Sequence, residues 1–148
     1  MPWALVNSWT FSSAVAQVDF TGLAGKTDVR ILLNDITLSG SGFRTLRVST
    51  DNGSTFLNTT ADYFSVDGAG VETAVTNIGF HVTATAVARS GDTEICGFNL
   101  TSPKVAQRQN RTDARTSVIP TTSALNAIRI FDSNGFNLTG GSIYVYAR

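Results

Sequence analysis

The residues best equipped for chemistry are gathered in one stretch. Between Pro103 and Ser117 stand Lys104, Arg108, Arg111 and Arg115, against a single acid, Asp113, with almost no large apolar side chain. A guanidinium is a planar fork that binds a carboxylate through two bonds at once, so the run predicts a basic loop gripping an acidic partner surface. Long polar loops without secondary structure are usually functional or ordered by a partner; a plain solvated excursion is the competing reading.

A second motif is Ser49-Thr50-Asp51-Asn52-Gly53-Ser54-Thr55-Phe56, the S-x-D-x-G-x-T-aromatic pattern of an Asp-box. Sialidases carry several such boxes as structural turns, but a chain of 148 residues with one box is too short for their propeller. The motif therefore predicts a hairpin turn, with Asp51 accepting bonds from turn amides, Gly53 supplying positive φ and Phe56 pinning the turn to the core. Asp51 and Asn52 also offer oxygens to a cation, yet Ca²⁺ wants about six to eight, and the spaced carboxylates of a calcium loop are missing.

Other chemistries lack parts. His81 is the sole histidine and Cys96 the sole cysteine, too few for a zinc site of the usual ligands. No G-x-S-x-G nucleophile elbow occurs. Asp19, Asp28, Asp35, Asp62, Asp67, Glu72, Asp92 and Glu94 are scattered, whereas glycoside hydrolysis needs two facing acids roughly 5–10 Å apart. The expectation is a protein with no catalytic residues, no metal and no cofactor. His81 reads as a surface or interface residue. Cys96, alternating with Phe98 and Leu100, reads as a buried small hydrophobe.

The aromatics are more suggestive. Trp3, Trp9 and Phe11 lie near the N-terminus, while Tyr144 and Tyr146 share a face opposite Ile143, Val145 and Ala147. Aromatics with polar handles suit a wet interface or stacking on a sugar, and core anchoring explains them equally well.

These residues must be positioned by strands. Ala16, Val18 and Phe20 alternate with Gln17 and Asp19, a half-buried strand. Val29 to Leu38 is longer and more apolar and predicts a central strand covered on both faces. Phe43 to Thr50 predicts a strand with Leu46 and Val48 inward, and Arg44 and Arg47 near the edge or surface. Further strands are expected at Asp62 to Val66, Ile78 to Thr83, Thr93 to Leu100, Ala124 to Phe131 and Ser142 to Ala147. Val71 to Ile78 is the one candidate for a helical turn, though Thr73, Val75 and Thr76 form helices poorly. About eight or more short strands with regular turn signals predict an all-β antiparallel sandwich, jelly-roll-like, as a single domain over 1–148.

Composition agrees. Hydrophobic residues make up 42% and charged residues 15%, which argues against disorder. Eleven basic residues balance eleven acidic ones, so bulk charge gives no reason to expect nucleic acid as a partner. No stretch approaches the ~20 apolar residues that cross a bilayer, and no signal peptide is visible, so no membrane partner is expected and the site of assembly is read as a cytoplasm.

Three segments resemble small β-rich proteins and fibre C-terminal domains of tailed bacteriophages. They are Ser8-Trp9-Thr10-Phe11 leading to Val18-Asp19-Phe20-Thr21-Gly22-Leu23; Leu46 through Phe56 followed by Asp62-Tyr63; and the closing Asn137-Leu138-Thr139-Gly140-Gly141-Ser142-Ile143-Tyr144-Val145-Tyr146. The group usually closes with Gly where this chain has Ala147. The resemblance implies a virion component assembled in the host cytoplasm: a capsid decoration protein or a head or tail fibre subunit. It would bind major capsid or tail proteins and form a homo-oligomer, commonly a trimer. The alternative is a carbohydrate-binding adhesin on the same scaffold, with host glycan as partner and the exposed aromatics as its stacking surface.

Overall fold

The computed structural model describes residues 1–66, 72–81, 84–110 and 113–148. Among the described residues twelve strands follow in order: β1 (Ala4–Thr10), β2 (Gln17–Phe20), β3 (Asp28–Leu38), β4 (Arg44–Ser49), β5 (Tyr63–Val66), β6 (Glu72–Val75), β7 (Ile78–Gly79), β8 (Arg89–Cys96), β9 (Lys104–Asn110), β10 (Asp113–Ile119), β11 (Ala127–Asp132) and β12 (Leu138–Ala147). They form an eight-stranded sheet ordered β1-β12-β3-β8-β9-β10-β5-β6 and a four-stranded sheet ordered β2-β11-β4-β7. Every strand pair is antiparallel. The architecture is a jelly-roll-like β-sandwich.

Alternation decides which residues go inside. Val18 and Phe20 of β2, Leu46 and Val48 of β4, and Ile128 and Ile130 of β11 pack in one core with Ile143, Val145 and Ala147 of β12. Burying each large aliphatic side chain of this kind contributes about 1.5–3 kcal/mol. On β3 the inward set runs Val29, Ile31, Leu33 and then Ile36, Leu38, one residue out of phase. The extra residue sits at a bulge. Asp35 adopts φ 53°, and the register with β8 shifts between Leu33 and Ile36. Across the pair, Gly141 has φ 92°, and a Cβ there would come within 2.5 Å of the Asn34 and Asp35 carbonyl oxygens. The bulge thus requires glycine on its neighbour and keeps both halves of β3 facing the core.

Several sequence expectations are corrected. The outer face of β3 carries the exposed Arg30 and Asn34, so this central strand is covered on one face only. Arg44 lies in the core at 0% exposure. Its guanidinium donates to the carbonyls of Ile36 (2.7 Å), Thr85 (2.7 Å) and Val87 (2.6 Å), and burial lowers its pKa to about 10. A buried charge is tolerated because its hydrogen bonds are made, here to a bulged strand end and a loop that offer spare carbonyls. Residues 72–75 form strand β6 rather than a helical turn. β1 is an edge strand with all seven residues exposed.

Cys96 is likewise not in the core. β8 ends at Cys96, and Gly97 turns with φ 71°, so Phe98 is buried, Leu100 is half exposed and Cys96 sits half-buried on the outer face beside Glu94. Desolvation, then the Glu94 and Asp28 charges, raise its pKa.

Candidate functional site

The basic segment is not a loop. It is the hairpin β9–β10, paired from Lys104↔Ile119 to Asn110↔Asp113, with β8 on one side and β5 on the other. A strand held between two neighbours has its backbone bonds satisfied by the ladder whatever its side chains, so a polar sequence can occupy the middle of a sheet. Period two then sends Lys104, Ala106 and Arg108 inward while Val105 and Gln107 face out. On β10 the inward set is Arg115, Ser117 and Ile119, with Arg115 half-buried.

The basic residues consequently part company. Lys104 is 1% exposed, and its ammonium donates to the carbonyls of Thr121 (2.8 Å) and Ser123 (2.6 Å). Burial lowers its pKa, and its role is to tie down the segment after β10. Arg111 lies outside the described residues. Arg108 and Arg115 stay together, directly opposite one another across the β9–β10 ladder. The Arg108 Nη1 donates to the Gly79 carbonyl of β7 at 2.7 Å.

These two arginines line a cleft of about 510 Å³, a size suited to a small ligand or part of a chain molecule. Its walls come from both sheets: Thr45 of β4 and Gly79 of β7 on one side, Ser65 of β5 and Ser117 of β10 on the other. Asn77, His81 and Phe43 also line it. Arg47 Nε donates to the Thr76 carbonyl at 3.1 Å, and Asn77 Nδ2 to the Thr76 hydroxyl at 3.2 Å, which sets the orientation of the Asn77 amide. The imidazole of His81 lies against β8 at Gly91, where a Cβ would come 3.3 Å from its Cε1. His81, expected at a surface or interface, is therefore a half-buried wall of the cleft. Asn77, Thr45, Ser117 and Phe43 were not singled out by sequence. The one signal for the inner face is the alternation K-x-A-x-R and R-x-S-x-I, hidden because its inward residues are polar.

The aromatics do not join this site. Trp3 is half-buried beneath the Arg148 guanidinium, 4.7 Å from the ring centre. Trp9 is 43% exposed and packs edge-on to Phe11. It lies opposite Ile143, whereas Tyr144 and Tyr146 lie opposite Ser8 and Leu5. Trp9 thus belongs to one face of the edge and the tyrosines, half-buried, to the other. A small recess of about 110 Å³ on the outer face is lined by Arg30, Asp92, Glu94 and Gln107, with Arg30 and Asp92 ion-paired.

The Asp-box turn forms with the expected bonds. Asp51 accepts from the Thr55 amide (2.8 Å), the Thr55 hydroxyl (2.6 Å) and the Ser49 hydroxyl (2.6 Å), and Gly53 has φ 88°. The side-chain bonds from Ser49 and Thr55 lower the Asp51 pKa to about 2. Phe56 departs from expectation. It lies under Arg129, 4.2 Å from guanidinium carbon to ring centre, with Arg129 held by Asp19 at 2.7 Å. The anchor of the turn is Leu57, whose amide donates to Val48 and whose side chain packs on the core.

No family model and no curated protein matches the chain. Among solved structures, CG-16, a homodimeric agglutinin from chicken liver, is similar at 10% identity and TM-score 0.44, over 87% of this chain and 98% of that one. Galectin LEC-6 of Caenorhabditis elegans is similar at 11% identity and TM-score 0.45, over 94% and 95%. Lactose- and MES-liganded congerin II is similar at 15% identity and TM-score 0.42, over 89% and 99%. Likeness at this level assigns no ligand to the chain. The expected terms virion, bacteriophage, capsid decoration and tail fibre find no support in this comparison: the structures named here are an agglutinin, a galectin and congerin II.

Proposed function

We propose that the chain is a carbohydrate-binding β-sandwich module that holds a glycan, without cleaving it, in the cleft between β4–β7 and β9–β10–β5. The observation that carries this reading is the chemistry of the cleft wall. Sugars present closely spaced hydroxyls and an apolar C–H face, and they are recognised by fixed, planar hydrogen-bonding groups beside an apolar surface. Arg108, Asn77 and His81 are planar polar groups, Thr45 and Ser117 add hydroxyls, and Phe43 adds an apolar face. The Gly79 carbonyl and Thr76 hold Arg108 and Asn77 in place before any ligand arrives, which reduces the ordering that binding must impose.

The same residues support binding rather than hydrolysis. Among the described residues that line the cleft there is no Asp or Glu, and glycoside hydrolysis uses two.

The test is an array of neutral, carboxylated and sulfated glycans. Saturable binding by the wild type, lost in Asn77→Ala with an unchanged far-UV circular dichroism spectrum, is the expected result. A well-folded wild type that binds nothing on the array, or an Asn77→Ala variant that binds as before, would sink the reading.

A further inference from the structure

The edges of the two sheets are not alike. Among the described residues β2 spans four positions and carries Asp19, ion-paired to Arg129, while β6 spans four and β7 two. Short length and charge are devices that keep an edge from pairing with another chain. β1 has neither. It runs for seven residues, all exposed, and no charged side chain occurs from Met1 to Val18. We propose that β1 is a self-association edge, pairing antiparallel with β1 of a second copy about a two-fold axis at Trp9.

The backbone sets this register. The Phe11 amide donates to the Gly141 carbonyl at 3.1 Å, and the ladder with β12 runs regularly from Asn7 to Thr10. Alternation along an antiparallel strand then turns the N–H and C=O of Asn7, Trp9 and Phe11 toward β12, and those of Ser8 and Thr10 off the sheet. Accordingly the Ser8 amide donates to the side chain of Asn7, Oδ1 at 2.9 Å. The irregularity between Leu5 and Asn7 limits the flat stretch to Asn7–Phe11, and Trp9 is its midpoint. An identical stretch laid antiparallel about that point places Ser8 opposite Thr10 of the second copy, and Thr10 opposite Ser8. Every outward backbone group of the stretch then finds a partner.

The side chains suit the same register. Trp9, 43% exposed and edge-on to Phe11, meets Trp9 of the second copy at a non-hydrogen-bonded position, where facing side chains come closest. Phe11 stands opposite Asn7. A second copy is the occupant because the stretch is symmetric about Trp9 and carries no charge by which a different partner would be selected. Identical uncharged edges also bring no like charges together. The stretch is short, so the contact is small and reversible. β1 lies at the opposite end of its sheet from β5 and β6, so the pairing does not involve the cleft.

The experiment is sedimentation equilibrium of the full chain from about 1 μM to 1 mM, the range in which a small interface associates. The wild-type mass should rise toward that of a dimer. Trp9→Lys sets like charges opposite each other across the axis, and Ser8→Pro removes an N–H that points off the sheet. Each should weaken association about tenfold or more, with an unchanged far-UV circular dichroism spectrum. In a Cys96→Ser background, Trp9→Cys should cross-link to a disulfide dimer under mild oxidation, since facing Cα atoms about 4.5 Å apart are within disulfide reach. Val87→Cys, at a position 62% exposed outside β1, is the control and should not. A wild type that stays monomeric throughout, or whose mass climbs past a dimer, overturns the proposal. So does association that Trp9→Lys and Ser8→Pro leave intact. If those two variants do not fold, the cysteine pair decides: Trp9→Cys cross-linking no faster than Val87→Cys overturns the register.

Discussion

On the side of β2, β11, β12 and β3, the interior is Val18, Phe20, Ile130, Ile31 and Val145, all at most 3% exposed. On the side of β7, β9, β10 and β5, the buried Ile78, Ala106, Ile119 and Tyr63 are joined by Arg108, Arg115, Ser117, Ser65 and His81, which line a cleft between the two sheets. Both halves follow the same period-two geometry and the same antiparallel ladder. What differs is the residue placed at the inward positions. Apolar inward residues close the sandwich, because burying them is favourable and close packing leaves no room for water. Polar and charged inward residues leave a cleft between the layers, because burying such groups as tightly as apolar ones is costly. One scaffold thus yields a closed end and an open one.

That division can be tested from either end. The largest effect is expected from the closed half. Ile130→Ala removes a fully buried side chain and should lower unfolding free energy by about 2–5 kcal/mol in urea titrations. Glycan affinity of the still-folded fraction should stay within about twofold, since residues far from a site and sharing no partners with it act independently. A parallel loss of affinity would show that the two halves are one cooperative unit.

A smaller and opposite outcome is expected from the open half. Gly91→Ala places a Cβ 3.3 Å from the His81 ring, so the imidazole must give way. Affinity should fall severalfold while stability changes by less than about 1 kcal/mol. Unchanged affinity would remove His81 from the binding wall.

The smallest effect lies at the Asp-box turn, distant from both interiors in its chemistry. Its hydrogen bonds lower the Asp51 pKa from 3.8 to about 2. A depressed carboxylate pKa means stability that is present above the unfolded value and lost as pH falls through the folded one. Acid titration of the wild type between pH 4 and 2 should show a modest loss of stability that is absent in Asp51→Asn. An identical acid profile for both proteins would mean that the turn's carboxylate does not couple to folding.

Much of the closed half was legible along the chain. The strands at 17–20, 28–38, 44–49, 127–132 and 138–147 announce themselves because most of their inward residues are apolar and recur with period two. The Asp-box turn was legible for a different reason: its bonds run between residues 49 and 55, so the motif carries its own structure. The cleft was not legible. Read locally, Lys104, Arg108 and Arg115 signal a long basic loop, and only pairing with β8 and β5 turns them inward. Arg44 misled in the same way, since its partners at Ile36, Thr85 and Val87 are invisible from its neighbours in sequence. The basic residues also separated: Lys104 became a buried tie, and Arg108 and Arg115 became cleft walls.

The sequence by itself determined the all-β class, the alternation that divides core from surface in the apolar strands, and the local turn at Asp51. These depend on interactions within a few residues, where spacing and side-chain type are sufficient. Tertiary structure alone decided that the basic segment is a central hairpin, that two arginines stand opposite each other, and that residues from Phe43 to Ser133 meet around one cavity. A strand's hydrogen-bonding partners lie far along the chain, and hydrophobic pattern reveals the inside only where the inside is dry.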